Sequence, residues 1–301
     1  LSAVPTVLES GKSFTCEYYF EPTGLYYTII IMPTSEENVV DAFFIDITEI
    51  DGFDDLHHAE GILKQAEERA AELYGSEETH YLVNGSTSGL LAAISGCTAA
   101  GGTVLIARNS HKSAYHAVLL RGLHVHYIYP QPAGKMGING PVTAENVDRL
   151  LEEHPETKMV YITSPTYDGV VSDVEQIAEV VHRRKLPLIV DEAHGAHFPF
   201  SEQFPKDSVS CGADVVIHSV HKTLPSLTQT ALIHLNGDLI NREKIRYFLG
   251  VYQSSSPSYV MMAGIDQCME WVSSHRKEFD SFAQRLQEVR AELRKLQALE
   301  L

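Results

Sequence analysis

An acid and a lysine, each following a short apolar run, are the residues of this chain best suited to chemistry. Pro187-Leu-Ile-Val leads into Asp191-Glu-Ala-His194-Gly-Ala-His197, and Asp214-Val-Val-Ile-His218 leads into Ser219-Val-His221-Lys222. Apolar runs of that length ending in polar side chains predict neighbouring parallel strands with a site at their carboxyl ends. One strand end would present an acid and the other a lysine. That pair suits a pyridoxal phosphate site, where a lysine forms the Schiff base and an acid holds the pyridine nitrogen protonated.

The elements that must position these residues can be read outward from them. Asp54 or Asp55 can cap a helix running to about Tyr74, with Leu56, Ile62, Leu63, Ala66, Ala70 and Leu73 on its apolar side and Gly75 as its stop. His80–Val83 leads into Asn84-Gly-Ser-Thr-Ser-Gly89, and an apolar helix follows from Leu90 to Ala100. Strands over Thr103–Ala107, Val125–Ile128 and Lys158–Thr163 alternate with helices over Ser113–Leu120, from Thr143 to Glu153, and from Asp173 to Arg184. Thr230–Leu235 adds one more strand. The alternation predicts an α/β domain, a mostly parallel sheet with helices on both faces. From Phe279 the residues Phe282, Leu286, Val289, Leu293 and Leu296 recur at helical spacing, an amphipathic connector in need of a packing surface. Before residue 41 only Tyr26–Met32 reads as a buried strand.

Composition narrows the function classes. A formal net charge of -17 over 301 residues disfavours a general nucleic-acid binder and an anionic membrane surface. No apolar run approaches membrane-spanning length, and the start lacks the pattern of a signal peptide, so a cytoplasmic protein is expected. Cys16, Cys97, Cys211 and Cys268 lie far apart, without a CxxC pair, and read as reduced thiols. Gly11-Lys12-Ser13 imitates the tail of a P-loop, but Thr6 stands where the first glycine is required. Without a P-loop, the helicase box spelled by Asp191-Glu-Ala-His194 is set aside too. His194 and His197 with Asp191 do not form the helical HExxH arrangement, so no metal is expected. His57, His58 and His218 read as structural histidines.

Asn84–Gly89 lies between a strand and a helix, where free backbone N–H groups and the helix dipole favour a phosphate and Ser86, Thr87 and Ser88 add hydroxyls. With this segment the sequence resembles the major domain of the Orn/Lys/Arg decarboxylases, pyridoxal-phosphate enzymes with the aspartate-aminotransferase-like fold. The resemblance is carried by Asp55-Leu-His-His58, Leu82-Val-Asn-Gly-Ser-Thr87, Arg108-Asn-Ser-His-Lys-Ser113 and Thr163-Ser-Pro-Thr-Tyr-Asp168. It continues through Asp191–His197, Ser219-Val-His-Lys-Thr223 with Gln229, and Gln253-Ser-Ser-Ser-Pro-Ser-Tyr259. It implies that Lys222 holds pyridoxal 5'-phosphate and later returns a proton, while Asp191 pairs with the pyridine N–H. It further implies that His111 stacks on one face of the ring and Ala193 packs on the other. Ser86, Thr87 and Ser219 would bind the phosphate with His221 adjacent, and His194 would contact cofactor or substrate. Ser254–Ser256 would assist at the phosphate, across a homodimer interface.

The implied reaction is decarboxylation of arginine, lysine or ornithine to the corresponding amine, a polyamine precursor. The motifs do not choose among these substrates. The resemblance covers roughly residues 41–265, leaving 1–40 as an atypical segment without the family's Pro-Gly-His-Lys motif. Residues 266–301 form a connecting helix that stops at Leu301, ahead of the family's smaller C-terminal domain. Two alternatives follow: a truncated non-catalytic cofactor-binding or assembly protein, and an aminotransferase on the same fold.

Overall fold

The computed structural model describes residues 54–134 and 137–296 in full, and three earlier strands by their backbone. Those strands, β1 (Phe14–Phe20), β2 (Leu25–Pro33) and β3 (Val40–Phe44), pair antiparallel in that order. β2 contains the strand expected at Tyr26–Met32, whereas Gly11-Lys12-Ser13 lies outside the described residues. The chain divides into two compact units, Leu1–Lys64 and Gln65–Leu301.

The second unit is built on a seven-stranded sheet. Its strands are β4 (Glu78–Leu82), β5 (Thr103–Ala107), β6 (His124–Ile128), β9 (Thr157–Thr163), β10 (Leu188–Asp191), β11 (Val215–His218) and β12 (Ala231–Leu235). A two-residue pair, β7 (Pro132–Ala133) and β8 (Ile138–Asn139), forms a separate ribbon. The sheet order is β4-β12-β11-β10-β9-β5-β6. Every pairing is parallel except those of β12, which runs against both its neighbours. Because β12 reverses, β4 runs in the same direction as β11, and six strands point their carboxyl ends the same way.

Strand side chains alternate between faces, and both faces are dry. Leu105, Val160, Ile162, Leu188, Val190 and Val216 belong to one core with helices α4 (Ala144–Glu153) and α5 (Val174–Arg183). Val104, Ile106, Met159, Tyr161, Ile189 and Ile217 belong to the other, with α2 (Gly85–Cys97), α3 (Lys112–Arg121) and α7 (Arg242–Tyr252). Fully burying one such aliphatic side chain contributes about 1.5–3 kcal/mol. These two layers therefore fix the sheet that carries the strand-end residues. Thr143 and Asp173 cap α4 and α5 as expected, each accepting a backbone N–H from the first turn.

Several local expectations need correction. Helix α1 (Ile62–Tyr74) starts later than the Asp54–Asp55 cap implied. The Asp54 carboxylate instead reaches across a turn to accept the N–H groups of Gly61 (2.8 Å) and Leu63 (2.9 Å). Ile62, assigned to the apolar face, is exposed, while Ala66 and Ala70 are buried. Gly75 ends α1 at a φ of +68°, where an L side chain is strained. In the tail, α8 (Arg276–Leu293) leaves Phe282 and Val289 exposed, and Leu296 just beyond it is exposed too. Its contact face lies at Phe279 and Ala283 instead. The Phe279 ring packs 5.5 Å from Phe200, Ala283 is buried, and Asp280 accepts a hydrogen bond from Ser201 Oγ at 2.6 Å. No helix among the described residues is long and apolar enough to cross a membrane. Cys97, Cys211 and Cys268 are free thiols.

Candidate functional site

The two strands that carry the acid and the lysine are hydrogen-bonded neighbours. Asp191 is the last residue of β10, paired with Thr163 of β9 on one side and Ile217 of β11 on the other. One residue beyond β11, Ser219 starts the short helical turn α6 (Val220–Thr223), which contains Lys222. The acid and the amine therefore leave the sheet at adjacent strand ends, where open parallel sheets bind their ligands.

Asp191 is buried, and each of its oxygens has one donor. Tyr161 Oη donates to Oδ2 at 3.0 Å, and the Ala193 N–H donates to Oδ1 at 3.2 Å. Burial pushes the Asp191 carboxyl above its usual range, opposed by those two bonds and by the nearby Lys222 and His111. A buried carboxylate with spare lone pairs and a raised pKa is short of positive charge. It suits a cationic ring N–H.

Lys222 Nζ lies 3.0 Å from His194 Nε2. Desolvation holds the lysine amine below its ordinary value against the attraction of Asp191. It also lowers His194, assisted by Lys222, so the imidazole favours its neutral form and accepts from the amine. The edge of the Tyr167 ring meets His194 at 5.8 Å, confining it on another side. His111 caps α3: its Nδ1 accepts the Ser113 N–H at 3.3 Å and lies 2.8 Å from Ser113 Oγ. These bonds fix the plane of an exposed ring. Desolvation lowers the His111 pKa, with Asp191 acting against it and Lys222 with it. Asp191, Lys222, His111 and His194 thus form one electrostatically coupled group.

The phosphate-cradle residues occupy the first turn of α2, although the helix was expected to begin only at Leu90. Gly85 makes the difference: its φ of +75° permits an abrupt turn from β4 into helix. The Gly85 N–H is held by the Gln229 carbonyl at 2.9 Å. Gly89 then lets the helix press onto β4, since a Cβ there would stand 2.5 Å from Leu82 Cδ1. Asn84 makes no side-chain cap to α2, which leaves the first-turn N–H groups available to an anion. Ser219 Oγ donates to Ser86 Oγ at 3.0 Å, bringing the lysine-bearing turn to the cradle. Thr87 is exposed in the same turn. An anion socket at one end and an electron-rich buried carboxylate at the other, with a low-pKa lysine in the same group, fit pyridoxal phosphate.

Two predicted positions are placed less directly. His221 Nδ1 lies 2.9 Å from the Thr230 carbonyl, so this nitrogen donates to the start of β12 rather than to the cradle. Ser254 does reach the cradle within the same chain, its N–H donating to Asn84 Oδ1 at 3.0 Å. The residue that sets this approach opens a segment that carries the resemblance, but its sequence context assigns it no role. Gln253 Oε1 accepts the Val83 N–H at 2.9 Å, and Gln253 Nε2 donates to the Tyr81 carbonyl at 3.4 Å, so its amide completes the open edge at β4. Tyr161 was also missed, because an apolar strand gives no sign that one hydroxyl meets a carboxylate. Among the described residues, His126, His154 and Glu156 form the one group of three spaced as metal ligands are. It includes neither His194 nor His197 and involves β6, at the far edge of the sheet from β4.

The sheet order and the strand-end site define an α/β protein of the pyridoxal-phosphate-dependent transferase-like class. Lysine decarboxylase A from Pseudomonas aeruginosa matches with a TM-score of 0.64 at 25% identity, over 71% of this chain and 32% of that one. The family model described as Orn/Lys/Arg decarboxylase, major domain, matches residues 37–301, and the chain belongs to that family. An uncharacterized protein of Bacillus subtilis strain 168, YaaO, is 44% identical over 76% of this chain and 48% of its own length. The arginine decarboxylase of the same strain is 35% identical over 75% of this chain and 46% of its own. The chain spans about half the length of the curated relatives it matches.

Proposed function

We propose that this chain carries the cofactor site of a pyridoxal-phosphate-dependent decarboxylase acting on a basic amino acid, with arginine the first substrate to test. The observation that carries the reading is Lys222 against His194, in one charge-coupled group with buried Asp191 at the next strand end. Arginine comes first because four relatives named arginine decarboxylase reach 32–35% identity, whereas the two lysine decarboxylases stand at 26% and the biodegradative arginine decarboxylase of Escherichia coli at 24%.

When bound, pyridoxal phosphate supplies a sink for the electron pair left as a carboxylate departs as carbon dioxide. The chain's part is placement and proton handling. Lys222 Nζ, held below its ordinary pKa, is the attachment point, and His194 Nε2 is placed to take a proton from it. Asp191, kept in direction by Tyr161 and Ala193, would hold the ring nitrogen. His111, its ring plane fixed by Ser113, and buried Ala193 would hold the ring between them. Ser86, Thr87 and Ser219 with the amides of α2 would take the phosphate. Holding the scissile bond in line with the π system selects carboxylate loss over other bond cleavages.

Because the active sites of this fold class lie at subunit boundaries, the form we propose is a cytoplasmic homodimer. The test is amine formation and carbon dioxide release from arginine, lysine and ornithine by the cofactor-loaded chain. Amine from one of them supports the reading. Keto-acid formation outpacing amine formation would replace it with an aminotransferase, and cofactor binding without turnover would favour a non-catalytic role.

A further inference from the structure

Directly beneath the site lies a buried polar chain that the proposed mechanism does not use. Thr79 Oγ1 is 2.8 Å from His234 Nδ1, His234 Nε2 is 3.0 Å from His218 Nδ1, and His218 Nε2 is 2.8 Å from Glu192 Oε2. The other Glu192 oxygen accepts Ser208 Oγ at 2.8 Å, and the Ser208 N–H lies 3.2 and 3.1 Å from the two oxygens. All five residues are at most 2% exposed. The Tyr74 ring packs over both histidines, at 4.9 Å from His218 and 4.6 Å from His234, and its hydroxyl donates to the Ala196 carbonyl at 2.9 Å.

Burying a carboxylate and two imidazoles is costly unless each polar atom is satisfied. Here the cost falls where the two functional segments meet. Glu192 follows Asp191 and precedes Ala193 and His194; His218 immediately precedes Ser219 and the Lys222 turn. The backbone of Glu192 is pinned as well, its N–H donating to Ile217 O at 3.0 Å and its carbonyl accepting the Gly195 N–H at 2.8 Å. Gly195 must remain a glycine for this packing, since a Cβ there would lie 2.5 Å from Glu192 Cγ.

We propose that Glu192 is a positioning residue: its bond to His218 ties the Asp191–His194 turn to the Lys222 turn and so sets how well the pair holds its cofactor. The proposal rests on reading the site as a pyridoxal phosphate site. A charge-assisted bond between two rigid segments holds distance and orientation together. Its loss lets the acid and the lysine shift relative to each other, even with the sheet intact.

The test compares wild type, Glu192→Gln, Glu192→Ala and a remote core control, Val147→Ala on α4. For each, cofactor affinity is measured by pyridoxal phosphate titration, the pH midpoint of the bound cofactor's absorption is recorded, and Tm is measured. Replacing a charge-assisted bond predicts affinity weakened about tenfold in Glu192→Gln, more in Glu192→Ala, with a displaced pH midpoint. Val147→Ala lowers Tm and leaves both cofactor readouts unchanged. If Glu192→Gln lowers Tm but keeps wild-type affinity and midpoint, the network is structural only and the proposal is overturned. If neither Glu192 variant folds, Ser208→Ala, which removes one hydroxyl donor, decides by the same two readouts. Failure of wild type itself to bind pyridoxal phosphate overturns the functional reading and this proposal together.

Discussion

Tyr161 offers the sharpest probe of how the site is charged. It is fully buried on β9, and its hydroxyl is one of two donors to the Asp191 carboxylate, the other being the Ala193 N–H. Tyr161→Phe removes that donor with almost no change in shape, leaving Oδ2 in an apolar strand layer. A hydrogen bond to a charged group contributes about 1.5–3 kcal/mol, and one pKa unit corresponds to about 1.4 kcal/mol. The already raised Asp191 pKa therefore rises further. A pyridinium pairs with the ionised carboxylate, so pyridoxal phosphate affinity should fall about ten- to a hundredfold. The apoprotein gives a cofactor-free check. A carboxyl whose folded pKa is raised loses stability as pH rises from its unfolded value through its folded one. The variant's additional deficit is thus largest at neutral pH and smallest in acid. Cofactor titration and denaturant melts at two pH values measure both effects. Wild-type affinity together with an unchanged pH dependence in Tyr161→Phe would show that the hydroxyl does not tune the Asp191 charge.

Other predictions concern the frame and its titration. Gly96→Ala drives a Cβ to 2.4 Å from Ile245 Cγ1 and 3.0 Å from its Cα, where α2 meets α7, and should destabilise by about 1–3 kcal/mol in denaturant melts. His80 is a second case: burial alone would depress its pKa, but Glu67 and Glu78 outweigh it and raise it to about 9. The resulting stabilisation is full below about pH 6.5 and is lost as pH rises through about 9, amounting to about 3 kcal/mol at most. Glu67→Gln should flatten that loss, which unfolding measured between pH 6 and 10 will record. His194→Gln, which removes the imidazole beside Lys222, should slow cofactor loading and shift its pH dependence, whereas unchanged loading kinetics would remove His194 from the proton path.

The strand-end logic was legible because parallel strands buried on both faces read as unbroken apolar runs. Leu188–Asp191 and Val215–His218 stand side by side as those runs require. Less legible was whatever depends on a single dihedral or a long-range partner. Gly85 at positive φ turns the small-polar segment into the first helical turn, and Asp54 caps α1 from across a loop. The reversal of β12 leaves no local trace, because Ala231–Leu235 is buried like the parallel strands. On α8 Phe282 and Val289 face outward and Leu286 and Leu293 are half-buried, while the contacts fall to Phe279, Asp280 and Ala283. Glu192 and His218 were read as a motif letter and a structural histidine. Their bond becomes visible only when β10 and β11 are placed together.

The proposed function stands on Lys222 as the residue where the cofactor attaches. Borohydride reduction of the chain loaded with pyridoxal phosphate, followed by peptide mapping, tests it directly. The expected result is a single reduced phosphopyridoxyl adduct on the peptide containing Lys222, absent from Lys222→Ala. An adduct spread over surface lysines, or none at Lys222 with saturating cofactor, would contradict it.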